Sequence, residues 1–211
     1  MKILNLYACL GGNRYKWGDE HDITAVEWDE EAAKLYQERF PNDKVIVEDA
    51  HQYLLDHYKE FDFIWSSPPC PTHSTIQFSM KNSRKMKYPD MALYQEIIFL
   101  DTFFNGKYCV ENVISYYEPL IRPQKRGRHY YWTNFLLPTV LTKRKNPDLS
   151  RTPNIVDALS VFHDYDFNKY KGKQSKQKMA RNLVDYEAGK VILDIAMGII
   201  RKKDEQQISL L

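Results

Sequence analysis

The sequence predicts an α/β fold, a mostly parallel sheet with helices on both faces. Three observations carry that expectation. Strand-like apolar runs recur at 2–8, 23–27, 44–48, 61–66 and 107–113. Helical periodicity fills the gaps between them. Reactive and polar residues collect directly after the runs, where open sheets of this kind bind ligands. With 211 residues and 43% hydrophobic content, the chain can build one sizeable core and a small appendage.

The first run starts at Lys2, directly after Met1, so no signal peptide is expected. It leads into Leu6-Tyr7-Ala8-Cys9-Leu10-Gly11-Gly12-Asn13, a turn whose glycines let backbone approach a ligand closely. The second run ends in Glu27-Trp28. A carboxylate there is placed to accept both hydroxyls of a ribose, and the indole to cover an adenine ring. A helix over 29–39 follows, with Ala32, Ala33, Leu35, Tyr36 and Phe40 near one side and Asp29, Glu30 and Glu31 in its first turn. The third run ends in Glu48-Asp49-Ala50, and Asp49 suits an adenine amino group. Asp29 and Asp49 read equally as helix N-caps. The glycine turn lacks the G-x-G-x-x-G spacing of a pyrophosphate cradle. An adenosine cofactor without phosphates fits better, which points to S-adenosylmethionine.

The fourth run, Phe61-Asp62-Phe63-Ile64-Trp65-Ser66-Ser67, ends in Pro68-Pro69-Cys70. A thiol held there by two rigid prolines reads as a positioned nucleophile, against the alternative of a packed core cysteine. Cys9, Cys70 and Cys109 are odd in number and far apart, without a C-x-x-C pair. That argues against a disulfide framework or a metal site and for a reducing, cytoplasmic setting. A helix is expected over 90–104, with Leu93, Ile97, Ile98 and Leu100 inside it. Glu111 and Asn112 close the fifth run and would share a rim with Cys70. Gln124, Arg126 and Arg128 alternate, so an extended segment would aim them to one side. Two arginines converging there would lower the thiol pKa and hold a carbonyl oxygen. A basic strand edge that binds phosphate is the alternative.

After residue 133 the alternation stops. Residues 134–174 read as irregular, broken by Pro138, Pro147, Pro153 and Gly172. Helices are expected over 175–181 and 186–202, and the tail 203–211 is polar. The chain therefore divides into a catalytic and cofactor-binding core (1–133), a short insertion (134–174) and returning helices (175–211). The net charge of +2 conceals strong segregation. Residues 71–89, 121–147 and 168–182 hold 4, 7 and 6 Lys+Arg and no Asp or Glu. If these segments share a face, that face attracts a polyanion, and interleaved aromatics such as Tyr130, Tyr131 and Trp132 suit nucleic acid. No apolar stretch is long enough to suggest a membrane span.

Taken in order, these elements resemble a DNA cytosine-5 methyltransferase. They are the glycine turn at 7–12, Glu27-Trp28, Asp49, Pro69-Cys70, Glu111-Asn112-Val113, Gln124-x-Arg126-x-Arg128 and Arg181-Asn182-Leu183-Val184. The resemblance implies a Rossmann-like class I S-adenosylmethionine-dependent methyltransferase sheet with a short inserted target-recognition region at 134–174. It implies cofactor contacts from Tyr7, Ala8, Leu10, Gly11, Gly12, Glu27, Trp28, Asp49, Ala50, Pro69, Asn182 and Val184. Its mechanism implies that Cys70 attacks C6 of a flipped-out cytosine, Glu111 holds N3, Arg128 holds O2, and Arg126 steadies Cys70 and Glu111. Double-stranded DNA is the expected partner of a monomeric enzyme. Ser74, Lys81, Arg84 and Lys85 would lie near phosphates, and Gln124, Arg144, Lys145 and Arg151 would serve the DNA interface.

The chain departs from the family pattern in three places. Cys9 stands where the family has the first glycine of its turn, Pro71 follows the catalytic cysteine in place of glutamine, and Asp185-Tyr186 replace two late prolines. These departures suggest a divergent, minimal enzyme of phage or mobile-element type; the sequence does not say whether a restriction endonuclease accompanies it. Rival readings are an RNA (tRNA) cytosine-5 methyltransferase, a catalytically idle DNA-binding relative and an amino-group methyltransferase. The last is disfavoured because Ser67 stands before the prolines, where those enzymes need Asp or Asn.

Overall fold

The computed structural model describes residues 1–79, 85, 87–149 and 151–199. Five strands run parallel: β1 (Lys2–Leu6), β2 (Asp22–Val26), β3 (Lys44–Ile46), β4 (Phe63–Ser66) and β5 (Lys107–Val113). A hairpin of β6 (Gln124–Arg126) and β7 (His129–Thr133) completes the sheet, with β7 antiparallel to β5. The strand order is β3-β2-β1-β4-β5-β7-β6. This is the Rossmann-like methyltransferase sheet expected from the sequence. The order reverses between β1 and β4, so their carboxyl ends border the crevice where such sheets take ligands.

Strand alternation sorts the core into two layers. Leu4, Leu6, Ile64, Tyr108 and Val110 face one way. They meet Tyr53 and Leu54 of α2 (Ala50–His57) and Leu93, Ile97 and Leu100 of α4 (Ala92–Phe103). Ile3, Phe63, Trp65 and Cys109 face the other way, against Trp17 and Val191 and Ile192 of α7 (Tyr186–Ala196). Cys109 is therefore a packed core thiol. The Trp17 indole donates to Gly189 O (3.1 Å). A side chain at Gly189 would meet Asn13 O at 2.4 Å, so the glycine lets α7 sit directly on the turn after β1. Asp29 caps α1 (Glu30–Arg39) and Asp49 caps α2, each accepting backbone N–H groups of the first turn.

Two expectations fail for identifiable reasons. The last helix ends at Ala196 rather than at 202. Gly198 adopts φ +75°, Ile199 N–H reaches Asp194 O and Gly198 N–H reaches Ile195 O, a glycine stop of the Schellman type. The stretch 134–174 is not wholly irregular, because α5 (Ile155–His163) forms within it. Its signal was Asn154, whose side chain accepts from Val156 N and Asp157 N.

The insertion is fastened to the core. Leu159, Phe167 and Tyr170 share a cluster with Leu10, Ala32 and Leu35, together with Met179 and Ala180 of α6 (Lys176–Asn182). Arg39 donates to Leu10 O (3.0 Å) and His163 O (3.4 Å) and lies over the rings of Tyr15 and Tyr165. Arg144 pairs with Asp185 (2.6 Å), bonds Phe162 O and is stacked between the rings of Phe162 and Tyr186.

His163, at the end of α5, is buried with Nδ1 unpartnered. Burial, reinforced by Arg144, pushes its pKa down from 6.5 to about 4. Between these two values the unfolded chain binds a proton that the folded chain refuses. Stability therefore falls as pH drops through that window, by roughly 3 kcal/mol across it. Urea melts of the parent and of His163→Phe at pH 7 and pH 4.5 check this: the variant should lose less stability on acidification.

Candidate active site

The Pro68-Pro69 turn carries Cys70 just past β4, and Glu111 lies near the end of the adjacent β5. Three polar contacts fix the pair. Asn112 Nδ2 donates to Pro68 O (3.0 Å), tying the end of β5 to the proline turn. Trp65 Nε1 donates to Ser67 Oγ (2.8 Å), and Ser67 Oγ donates to Glu111 Oε2 (3.0 Å). Glu111 is 7% exposed, so its orientation is set by these buried partners rather than by water. Trp65 and Glu111 can meet this way because both face the α7 layer.

Cys70 is half-buried. Burial, then the charge of Glu111, pushes its thiol above the ordinary range, with weak opposition from Lys178 on α6. The expected depression by arginine does not occur, because Arg126 points elsewhere. It donates to Pro138 O (2.6 Å), Leu137 O (2.5 Å) and Lys125 O (2.9 Å) and bonds the Gln124 side chain (3.3 Å). Gln124 is engaged too, with Thr133, Phe135 O and Leu137 N (each 2.8 Å). Both side chains brace the chain that leaves β7. The alternation on which the expectation rested stops at Arg126. Gly127 (φ +56°) and Arg128 form the hairpin turn, which leaves Arg128 exposed at its tip.

The other expected DNA contacts divide. Arg144 is turned inward by Asp185 and Phe162, which removes it from base readout. Lys85 and Lys145 are exposed. Arg151 is 89% exposed and 3.6 Å from Asp148. Ser74 forms an isolated bridge to Ser115, and its Oγ accepts from Ile76 N (3.3 Å) at the start of α3 (Ile76–Ser79). Lys81 and Arg84 lie outside the described residues. The segment after Cys70 turns tightly, with His73 N and Ser74 N both donating to Cys70 O (3.0 and 3.1 Å). His73 is buried, with Nδ1 2.6 Å from Tyr117 OH.

The rim expected to hold the cofactor is built from the ends of β1, β2 and β3. Glu27 is buried and accepts from Cys9 N (2.8 Å) and Asp29 N (2.9 Å). Burial raises its pKa, and the backbone bonds partly offset that. Cys9 has φ +50°, the left-handed backbone that the family's glycine would take without strain. A side chain there costs about 1–2 kcal/mol, and the bond to Glu27 helps hold it. Gly11 and Gly12 meet protein. A Cβ at Gly11 would lie 2.3 Å from Phe40, and one at Gly12 would lie 2.6 Å from Val184 O. Leu10 is fully buried in the cluster with the insertion. A cavity of about 10 Å³ lies between Tyr7, Cys9, Gly12, Ser67, Asn182 and Val184.

The donor set fits an adenosine cofactor. A carboxylate has about four acceptor positions, so Glu27 retains some after two backbone bonds. Asp49 is exposed and commits Oδ1 to its cap, and Trp28 is 62% exposed beside Glu27. Ala50 and Ala8 are buried, and Pro69 is exposed.

Sequence reasoning missed a buried carboxylate, Glu96 of α4. It is fully buried and accepts from Tyr7 OH (2.5 Å), Ser66 Oγ (2.6 Å) and His51 Nδ1 (2.9 Å). The hydrogen bond to Glu96 raises the His51 pKa, against the effect of burial. The signal was available: Glu96 lies three residues after Leu93 and four before Leu100, on the apolar face of its helix. Ser67 and His129 were also missed. Among the described residues, no group of three His, Cys, Asp or Glu could hold a metal ion, and no helix is long and apolar enough to cross a membrane.

Residues 1–113 match the family described as C-5 cytosine-specific DNA methylase, and the chain belongs to that family. It is a methyltransferase of the Rossmann-like type. Among solved structures, it is similar to a triple mutant of Spodoptera frugiperda DNMT2 at 22% identity, covering 72% of this chain and 55% of that one, with a TM-score of 0.45. A putative DNA modification methyltransferase encoded within an Escherichia coli prophage is similar at 17% identity, covering 63% of this chain and 45% of that one, with a TM-score of 0.41. An S-adenosylmethionine-dependent methyltransferase from Agrobacterium tumefaciens is similar at 14% identity, covering 56% and 40%, with a TM-score of 0.41. No curated protein matches the chain in sequence.

The raised thiol has a direct readout. Iodoacetamide should label Cys70 more slowly than free cysteine at pH 8, with the rate still climbing above the ordinary thiol range. Glu111→Gln removes the second cause of the shift, so the inflection should move to lower pH. Peptide mass spectrometry separates Cys70 from Cys9 and Cys109.

Proposed function

We propose that this protein methylates C5 of a cytosine flipped out of duplex DNA, through a covalent bond between Cys70 and C6. The observation that carries the reading is the buried Glu111 carboxylate, oriented by Ser67 and Trp65, on the rim that presents Cys70. Cytosine C5 is a poor nucleophile until a thiolate adds at C6 and makes it enamine-like. A group that does this must be a cysteine near a residue that handles a proton at N3.

S-adenosylmethionine, when bound, supplies an electrophilic methyl group on a sulfonium. Glu27, Asp49 and Trp28 would hold its nucleoside, and Tyr7, Gly12, Asn182 and Val184 would line the path towards Cys70. The chain's own residues manage the proton and the base. The Cys70 thiol is protonated in the free enzyme, and the Glu111 charge helps keep it so. When a cytosine enters, the Glu111 carboxylate takes up a proton from solvent and shares it with N3, so its negative charge falls; the Cys70 S–H proton is then lost to water and the thiolate sulfur adds to C6. Arg128, exposed at the hairpin tip, is free to hold the O2 carbonyl. Arg126 and Gln124 act indirectly, keeping that hairpin attached to residues 133–138. Extruding the base from a duplex costs a few kcal/mol. Lys85, Lys145 and Arg151 are among the described basic residues exposed to meet the backbone.

Methyl transfer from labelled S-adenosylmethionine to duplex DNA and to tRNA tests the reading and its nearest rival together. Duplex DNA should be the better acceptor, with the label recovered as 5-methylcytosine. Cys70→Ser should abolish transfer. DNA carrying 5-fluorocytosine should trap a covalent complex with the parent and none with Cys70→Ser. Transfer by Cys70→Ser would sink the covalent mechanism, and a strong preference for tRNA would replace the substrate.

A further inference from the structure

We infer that His129 is the proton relay that connects the buried Glu111 carboxylate to solvent, a positioning role for a residue outside the motif Gln124-x-Arg126-x-Arg128. The inference rests on the assignment of Glu111 to N3 and adds the route by which its proton is exchanged.

The geometry is particular to the β5–β7 pair. Glu111 lies opposite Tyr131, and His129 is two residues along β7, opposite Val113. Side chains two apart on a strand share a face, so His129 is the diagonal neighbour of Glu111. His129 Nε2 lies 3.6 Å from Glu111 Oε1, while the other carboxylate oxygen takes the Ser67 hydroxyl. That distance is an ion-pair contact, slightly too long for a direct hydrogen bond, and one bridging water or a small ring rotation closes it. The exposures differ in the needed sense: the Glu111 side chain is 9% exposed and the His129 side chain 38%. One end of the pair faces the reaction and the other faces water.

No other basic group takes this place among the described residues. Arg126 pairs with His129 across the hairpin, but its guanidinium is bound to the carbonyls of Leu137 and Pro138. Arg128 sits in the turn. Tyr131, on the same strand, meets the His129 ring edge-on at 6.3 Å. The facing groups are thus Glu111, Tyr131 and Arg126, and only Glu111 exchanges protons with the base.

The proton that Glu111 shares with N3 during the attack on C6 must reach the resting carboxylate, and must leave it again once the S–C6 bond has broken; the proton lost from C5 is separate and goes to water. Glu111, buried behind the flipped cytosine, cannot make that exchange with bulk water directly. The relay step balances simply: the Glu111 carboxyl O–H breaks, an N–H forms at His129 Nε2, and the imidazolium passes a proton to water or buffer. In reverse it reprotonates the carboxylate. An imidazole can carry a proton either way, because one ring nitrogen can accept while the other donates.

The test compares His129→Ala, His129→Gln and Glu111→Gln in single-turnover methyl transfer to duplex DNA, with and without added imidazole. His129→Ala should lose on the order of 100-fold in rate, with KM for DNA and cofactor little changed. Imidazole should restore His129→Ala saturably, because the vacated site is open to solvent, and should not restore Glu111→Gln. His129→Gln, similar in size and unable to carry a proton, should be as slow as His129→Ala while melting like the parent. An unchanged rate in His129→Gln, or a slow His129→Ala that imidazole leaves slow, overturns the relay. Full turnover by Glu111→Gln would instead remove the assignment of Glu111, a separate failure from loss of Glu111 activity with His129 variants unaffected.

Discussion

The rim of this sheet depends on one buried carboxylate, Glu96. Its oxygens collect Tyr7 from the end of β1, Ser66 from the end of β4 and His51 from the first turn of α2. A carboxylate without water around it must be fully hydrogen-bonded or it becomes costly. Satisfying it forces three separate chain segments to end in register. Tyr7, with φ +55°, is held in a left-handed conformation that it would otherwise avoid. The positions of the glycine turn, the proline turn and Asp49 all follow from that convergence.

A second buried carboxylate, Glu111, is arranged differently. Glu96 accepts from three donors, whereas Glu111 has a firm bond on one oxygen and a looser contact on the other. The first arrangement suits a fixed joint and the second leaves one oxygen more open to a new partner. The same contrast explains the two cysteines on neighbouring strands. Cys109 is sealed in the core, while Cys70 lies on the turn, half-buried, where burial and the Glu111 charge raise its thiol pKa.

Much of this was legible in the sequence. The five parallel strands follow from apolar runs bounded by turn residues, and Cys70, Glu111, Glu27 and Asp49 from their places just after those runs. Side-chain direction beyond the sheet was not legible. Arg126 and Arg128 share a parity in the sequence, but a two-residue turn separates them and the carbonyls of Leu137 and Pro138 capture one of them. Arg144 read as a surface cation because nothing in the sequence brings Asp185 or Phe162 to it. The helix at Ile155–His163 was masked by the prolines before it, although its Asn154 cap stood in plain view.

The fastening of the insertion has a thermodynamic consequence. Tyr170 and Gln174 both donate to Asp29, the cap of α1 that directly follows Glu27 and Trp28. Burial works against ionisation of Asp29, but the bonds from Gln174, Tyr170 and the helix backbone outweigh it and hold its carboxyl below the ordinary range. A load that pulls the insertion away must break these bonds and weaken the helix start beside the cofactor strand. Residues 170–174 and the start of α1, directly after Glu27 and Trp28, are thus a single mechanical element.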